Sequence, residues 1–448
     1  MIQLALSRPS HALSTHRRLI PHLMAGLSAV ALTLAAPEAR ATDFVWTGGN
    51  GEYTTGSNWA GGAVPQGGSD ISVFGDVLAR TVTITVAPGV TIGASILQFN
   101  AGAGPFTFNL GAGAGSTFQI AGSSGIINNS AHAPTFNVQA GGTALSFNGG
   151  SSAGDAIINN QGRVVVQGTA SAGTATINTT NGGDLWFAGN GLAGSAVLNA
   201  TDSTIRFDTG GGAGNATITL NGTSSLRFLG SGTSLGAASI TANSGSLVEI
   251  TGYVFSGASR LDIKSGATLE MQNSSNPTLS FGSLVANGTV NIGSVNLTAG
   301  SLSGSGTIDT ASAGGPTITV GGGNVSSAFS GTIAGTTLGL VKNGTGTFTF
   351  GGTMATSGLT QVNAGTLQVD GTIGGAGGVS VASGGTLAGA GTVSGLTVNS
   401  GGFVAPGGGG IGTLTVAGNA TLNAGSTTVI EVSAASADRL AISGTASL

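Results

Sequence analysis

Two carboxylates invite a chemical reading. Glu249, in "LVEI", and Glu270, in "LEM", stand 21 residues apart, each flanked by apolar partners: Val248 and Ile250 for the first, Leu269 and Met271 for the second. That alternation is the period of a strand, so both acids leave the face that Val, Ile, Leu and Met bury. If 21 residues make one turn of a stack, the two carboxyl groups come near the ~5–5.5 Å that retaining glycosidases use, one acid as nucleophile and the other as acid and base. Asp262, in "LDIK", is a third outward acid, with Arg260 and Lys264 at hand to neutralise the group. Outward charges also decorate any solenoid, and no cleft or further polar cluster accompanies these. Glu249 and Glu270 are therefore the candidate carboxylates of an alternative reading, a secreted β-helix enzyme acting on polysaccharide. The main reading assigns no catalytic residue.

Other chemistry finds less support. Gly407, Gly409 and Gly412 have G-x-G-x-x-G spacing, but they lead into "TLTV" (Thr413 to Val416), whose alternation is that of a strand. A phosphate-binding glycine turn needs a helix next, because helix amides and dipole hold the anion. "GGSD" at Gly67 to Asp70 stands alone, so the calcium-binding nonapeptide repeat is missing. There is no Cys, and beyond residue 41 the one histidine is His132, between Ala131 and Ala133 ahead of Pro134. Zinc needs three or four clustered ligands; His132 reads as a turn residue. No metal and no cofactor is expected.

These residues must be held by something built almost without charge. Asp, Glu, Lys and Arg make up 6% of the 448 residues while glycine contributes 84, a balance that suits short strands separated by many turns. At the start, Arg17 and Arg18 precede an uncharged run from Leu23 to Ala36, and Ala39-Arg40-Ala41 follows with small residues at the cleavage spacing. Residues 1–41 therefore read as a secretory signal, with the mature chain starting at Thr42. Its removal leaves 8 basic and 15 acidic residues, net −7, which argues against a nucleic-acid partner. An exported chain without cysteine depends on packing alone.

The packing plan is a repeat. "AGDAII" at Ala153, "AGTATI" at Ala172, "AGSAVL" at Ala193 and "AGNATI" at Ala213 start 19, 21 and 20 residues apart. Ala156 and Ile158, Ala175 and Ile177, Ala196 and Leu198, and Ala216 and Ile218 fall on one face. A second strand follows each: Val164 and Val166, Leu185 and Phe187, Ile205 and Phe207, Leu226 and Phe228. Short strands returning to one register every 20 residues or so predict an all-β fold, a right-handed parallel β-helix with rungs of about 20 residues. Asn159, Asn178 and Asn199, followed by Thr219, predict a corner ladder of side-chain amides, or else mark positions where asparagine tolerates the turn. On the second strand the outward series Val165, Trp186, Arg206 and Arg227 would set Trp186 beside Arg206, as a cation–π pair on a solvated face or as a sugar-stacking platform.

Two regions resemble a known family. "VWTGGNGEYTTGSNWAGGAVPQGGSDISVFG", with Trp46, Asn58-Trp59, Gly62, Val64-Pro65, Asp70 and Phe74, resembles the opening module of many autotransporter passengers and related bacterial surface proteins. "LVKNGTGTFTFGG" followed by "GLTQVNAGTLQVDG" is similar to the passenger-associated transport repeat, through Lys342, Gly344, Gly346, Thr347 and then Val362 to Leu367. The similarity continues through Asp438-Arg439-Leu440. The resemblance implies a signal peptide (1–41), an N-terminal passenger or capping module (42–98), β-helix repeats (99–339) and a passenger-associated transport repeat region (340–448). It implies export to the bacterial cell surface, outer membrane or extracellular space as a non-enzymatic adhesive scaffold. Expected partners are the outer-membrane translocation machinery or a barrel domain not in this chain, a surface glycan or protein ligand, and other copies of itself. Residues 340–448 hold no Trp or Tyr for a barrel's aromatic girdles, and the pattern of residues 430–448 expects another rung to follow, so the region reads as truncated.

Overall fold

The computed structural model describes residues 42–448 apart from 252–253, 256, 273–277 and 311–313; the export signal read in residues 1–41 lies outside the described residues. The described chain is a parallel β-solenoid of about 16 turns with rungs of about 21 residues. Its helical content is a single 3-10 turn, Gly56–Asn58.

Each rung contributes one strand to each of two long sheets. In the middle of the stack the first sheet takes Ile157–Asn160, Thr176–Thr180, Val197–Thr201, Thr217–Asn221 and Ser239–Ala242. The second takes Arg163–Gln167, Asp184–Ala188, Thr204–Asp208, Ser225–Leu229 and Leu247–Thr251. Pairing is parallel and in register, so like stacks on like: Ile158, Ile177, Leu198 and Ile218 form one column, and Val166, Phe187, Phe207 and Phe228 another. All eight side chains have no exposed surface. Every inward residue expected from the "AG" units is buried. The phenyl rings of Phe187, Phe207 and Phe228 stack at 4.5 and 4.9 Å, within 7° of parallel. Each buried Phe or Ile side chain contributes about 1.5–3 kcal/mol against the entropy of ordering its rung.

The asparagine ladder forms, but on a flat face. Asn178 Nδ2 donates to Asn159 Oδ1 at 3.2 Å and Asn199 Nδ2 to Asn178 Oδ1 at 2.9 Å; the ladder extends back through Asn137 to Asn109. These residues are mid-strand and outward on the first sheet, not at a corner. Strand alternation, which sets them one position after the inward Ile or Leu, prevails over asparagine's preference for turns. Corner ladders do exist elsewhere, as in Asn363 donating to Asn343 at 3.0 Å.

A third side changes place along the stack. Through the middle it is a line of single bridges, Ser152, Ser171, Leu192, Gly212 and Ser234, lying after the second sheet in chain order. From Gly304 and Phe329 onward it precedes the second sheet, as a six-stranded sheet that includes Ser327–Phe329, Thr347–Phe350 and Gly365–Val369. Gly344 turns the corner before its second strand with φ of 69°, and a Cβ there would lie 2.0 Å from the Gly321 carbonyl oxygen. Only glycine fits.

Residues 42–98 form the first rungs of this stack around an aromatic cluster. Trp46 meets Trp59 edge-on at 5.1 Å, and Tyr53 packs at 5.0 Å from Trp59 and 5.1 Å from Phe118. Tyr53, fully buried, pairs its hydroxyl with Ser72 at 2.7 Å. Burial pushes the Tyr53 phenol above its ordinary value. The unfolded chain ionises near pH 10 while the folded one keeps its proton. The linked stability is thus fully present below about pH 10 and is lost as pH rises through the folded value. Alkaline titration followed by phenolate absorbance should show Tyr53 ionising only with loss of the N-terminal rungs. Tyr53→Phe should remove that step and cost about 1–2 kcal/mol at neutral pH, since buried Ser72 loses its partner. Early, reversible ionisation of Tyr53 in intact protein would contradict this.

Candidate functional site

In-register stacking turns outward residues into columns, and one column of the second sheet gathers most of the chemistry noted in the sequence. It runs Val165, Trp186, Arg206, Arg227, Glu249, Glu270, Asn291 and Asp309. Glu249 and Glu270 are neighbours on adjacent strands, as their spacing predicts. Asp262 is on the first sheet, paired beside Thr241, and so belongs to another face. Its partner is Lys264, at 2.7 Å.

The cation that meets Glu249 is neither Arg260 nor Lys264. Arg227, one rung earlier, donates from Nε to Glu249 Oε2 at 2.7 Å. Glu270 accepts from Gln272 Nε2 at 3.1 Å. Glu270 opens on a hollow of about 390 Å³ with Gln272, Asn291 and Asp309, and Glu249 lies outside it. The signal for Asp309 was present in "TID", an acid alternating with buried Ile308, two rungs beyond Glu270.

Trp186 has two cations. Arg163 places its guanidinium carbon 4.8 Å from the ring centroid and Arg206 places its own at 4.4 Å, from the rungs on either side. Asp184 Oδ2 accepts from Arg206 at 2.9 Å, with Arg163 Nε 3.5 Å away. Each exposed cation–π contact contributes about 0.5–1 kcal/mol. With guanidiniums against the ring from both flanking rungs, the geometry does not offer a bare indole face for a sugar. Beside this cluster, over the preceding rungs, is a recess of about 430 Å³ whose lining includes Gln119, Ser146, Asn148, Arg163, Val165, Gln167 and Trp186.

The remaining sequence candidates fall away from this face. His132 is exposed, and the Asn128 amide and Ser130 hydroxyl donate to its backbone carbonyl. Among the described residues no three His, Cys, Asp or Glu cluster as metal ligands would. Gly407, Gly408 and Gly409 turn with positive φ into the strand Thr413–Val416, as the alternation predicts, and Gly412 N–H donates to Asp438 Oδ1 at 2.8 Å.

Among the described residues, two charged side chains are buried, Asp438 and, more completely, Lys342. Lys342 occupies the inward column of the first sheet between Val320 and Val362 and has no exposed surface. Its Nζ donates to the carbonyls of Asn343 at 2.8 Å, Gly344 at 2.8 Å and Ala364 at 3.0 Å. Burial pulls its ammonium below the ordinary lysine range. The contacts tie the corner of one rung to the corner of the next, across the stretch where the third sheet stacks Thr347–Phe350 on Gly365–Val369.

That stretch is where a known family matches: residues 340–369 fit the passenger-associated-transport-repeat. Repeat and solenoid together fit an autotransporter passenger domain. No curated protein and no solved structure matches the chain. A passenger of this kind implies export to the cell surface. The matched segment covers one full three-sided turn and the first two strands of the next, Thr360–Val362 and Gly365–Val369, with Lys342 holding the two turns together.

Proposed function

We propose that this passenger acts at the bacterial surface as a non-enzymatic, adhesive scaffold, delivered by the outer-membrane translocation machinery or by a barrel domain supplied outside the chain. The observation that carries this reading is the ion pair of Glu249 with Arg227, outside the hollow that Glu270 lines. A hydrolase needs two free carboxyl groups on either side of a bound sugar. Here the outward charges instead pair along the ladder, Arg163 and Arg206 with Asp184 and Arg227 with Glu249.

One observation favours the enzymatic alternative, and it moves the candidate pair. Glu270 and Asp309 line the same hollow from strands two rungs apart, roughly 9.6 Å by ladder spacing, near the upper end of the separation in inverting glycosidases. The test is to display the chain on cells, score adhesion, and incubate purified protein with a polysaccharide panel while measuring new reducing ends. Adhesion that survives Glu270→Gln with Asp309→Asn, and no reducing ends, is the expected result. Reducing ends that vanish in the double variant would replace the scaffold reading with the enzymatic one.

A further inference from the structure

We propose that the recess on the outward face of the second sheet, next to Trp186, binds a segment of acidic polysaccharide, with Arg163 receiving a uronate carboxylate. The proposal deepens the scaffold reading by naming a site and a ligand class. The recess spans the rungs of Thr91, Thr117, Ala144, Arg163 and Asp184, which stack in register. At ~4.8 Å per rung that is roughly 19 Å, room for a short oligosaccharide along the stack axis. Short side chains make its floor, with Ser146 and Val165 both buried, and Trp186 rises as the end wall.

Its lining chemistry suits a hydroxylated anion. Arg163 is the only charged residue that lines it. The Asp184 carboxylate beside Arg163 is already held by Arg206 at 2.9 Å, so two guanidiniums share one carboxylate and Arg163, nearly half exposed, has charge to spare. A planar guanidinium fork matches a planar carboxylate through two parallel bonds, and the contact with the Trp186 ring keeps it in place. Around it, the side-chain amides of Gln119 and Gln167 make no hydrogen bond within the described chain, and Asn148 uses only its oxygen, accepting from Ser146 at 3.1 Å. Free amides at several rungs are what successive sugar hydroxyls would meet. A neutral glycan could use the amides but not the spare charge, which is why the ligand is placed among uronate polymers.

The probe is polygalacturonate, with its methyl-esterified form as the neutral control, titrated into the purified full chain at low and high salt. The acid form should bind and weaken with salt, and the ester should bind about tenfold more weakly or worse. Arg163→Gln should weaken polygalacturonate binding about tenfold while lowering melting only by the small share of its contact with Trp186, and Arg260→Gln, the same charge change on the first sheet, should bind like wild type. Equal binding of acid and ester, equal losses from the two variants, or no binding of polygalacturonate by wild type would each overturn the site. Cells that display the chain and adhere, while the purified chain ignores polygalacturonate, would sink this assignment and leave the scaffold reading standing. Polygalacturonate binding without adhesion to any surface would do the reverse.

Discussion

Ile177→Asp is expected to open the middle of the stack, and Thr176→Asp, one residue earlier, to do almost nothing. Ile177 has no exposed surface and lies between Ile158 and Leu198 in the inward column; Thr176 points outward and is half-buried. A carboxylate in that column has only the apolar Ile158 and Leu198 beside it, so it either stays charged at great cost or takes up a proton and still lacks a partner. A loss above about 4 kcal/mol places it among the most damaging single changes, against about 0.5 kcal/mol for the outward site. Because each rung touches only its neighbours, the damage should be local. Hydrogen exchange should rise across 157–160, 176–180 and 197–201 before distant rungs respond. Equal losses from the two variants would mean that the strand faces are assigned the wrong way round.

Lys342→Met is the second large effect expected, and its sign is not obvious. Methionine would relieve the burial of a charge and would pack between Val320 and Val362. It would also leave the carbonyls of Asn343, Gly344 and Ala364 converging without a donor. Bonds from a charged donor contribute about 1.5–3 kcal/mol each, and a stranded buried acceptor costs about 1–3 kcal/mol. Three such carbonyls outweigh the desolvation relief, so the variant should lose about 3 kcal/mol or more, seen as faster exchange in 343–346 and 363–366. A methionine variant as stable as the parent would show that the ammonium serves something other than cohesion between these rungs.

How legible the molecule was depended on whether a feature is set by period or by register. The inward sets of the "AG" units follow from alternation alone, and Ile158, Ile177, Leu198 and Ile218 are all in the core. Alternation also carried the outward position of Asn178, and weighing asparagine's turn preference above it led to the wrong location, a corner. The partner of Glu249 needed more than alternation. Arg227, 22 residues away, is adjacent because the strands pair without slip, whereas nearby Lys264 is on another sheet. The change of place of the third side depends on which connection lengthens, and strands of two to five residues such as Thr332–Ile333 leave little trace of that in the pattern. Lys342 was visible as a motif residue, but lysine is so seldom buried that composition argues against its real position. The recess beside Trp186 draws its glutamine, serine and asparagine side chains from three successive rungs, none conspicuous alone.

Parallel pairing at every rung has a mechanical consequence. The ladder hydrogen bonds lie along the stacking direction, so a pull between the two ends loads them one layer at a time, as in peeling, instead of shearing many together. The weakest exposed layer should detach first and release its length before the next is stressed. A rung of about 21 residues, extended at ~3.3–3.6 Å per residue, would add roughly 70 Å of slack per event. A solenoid built this way lengthens under sudden drag in many small steps, each limiting the peak force carried along the stack.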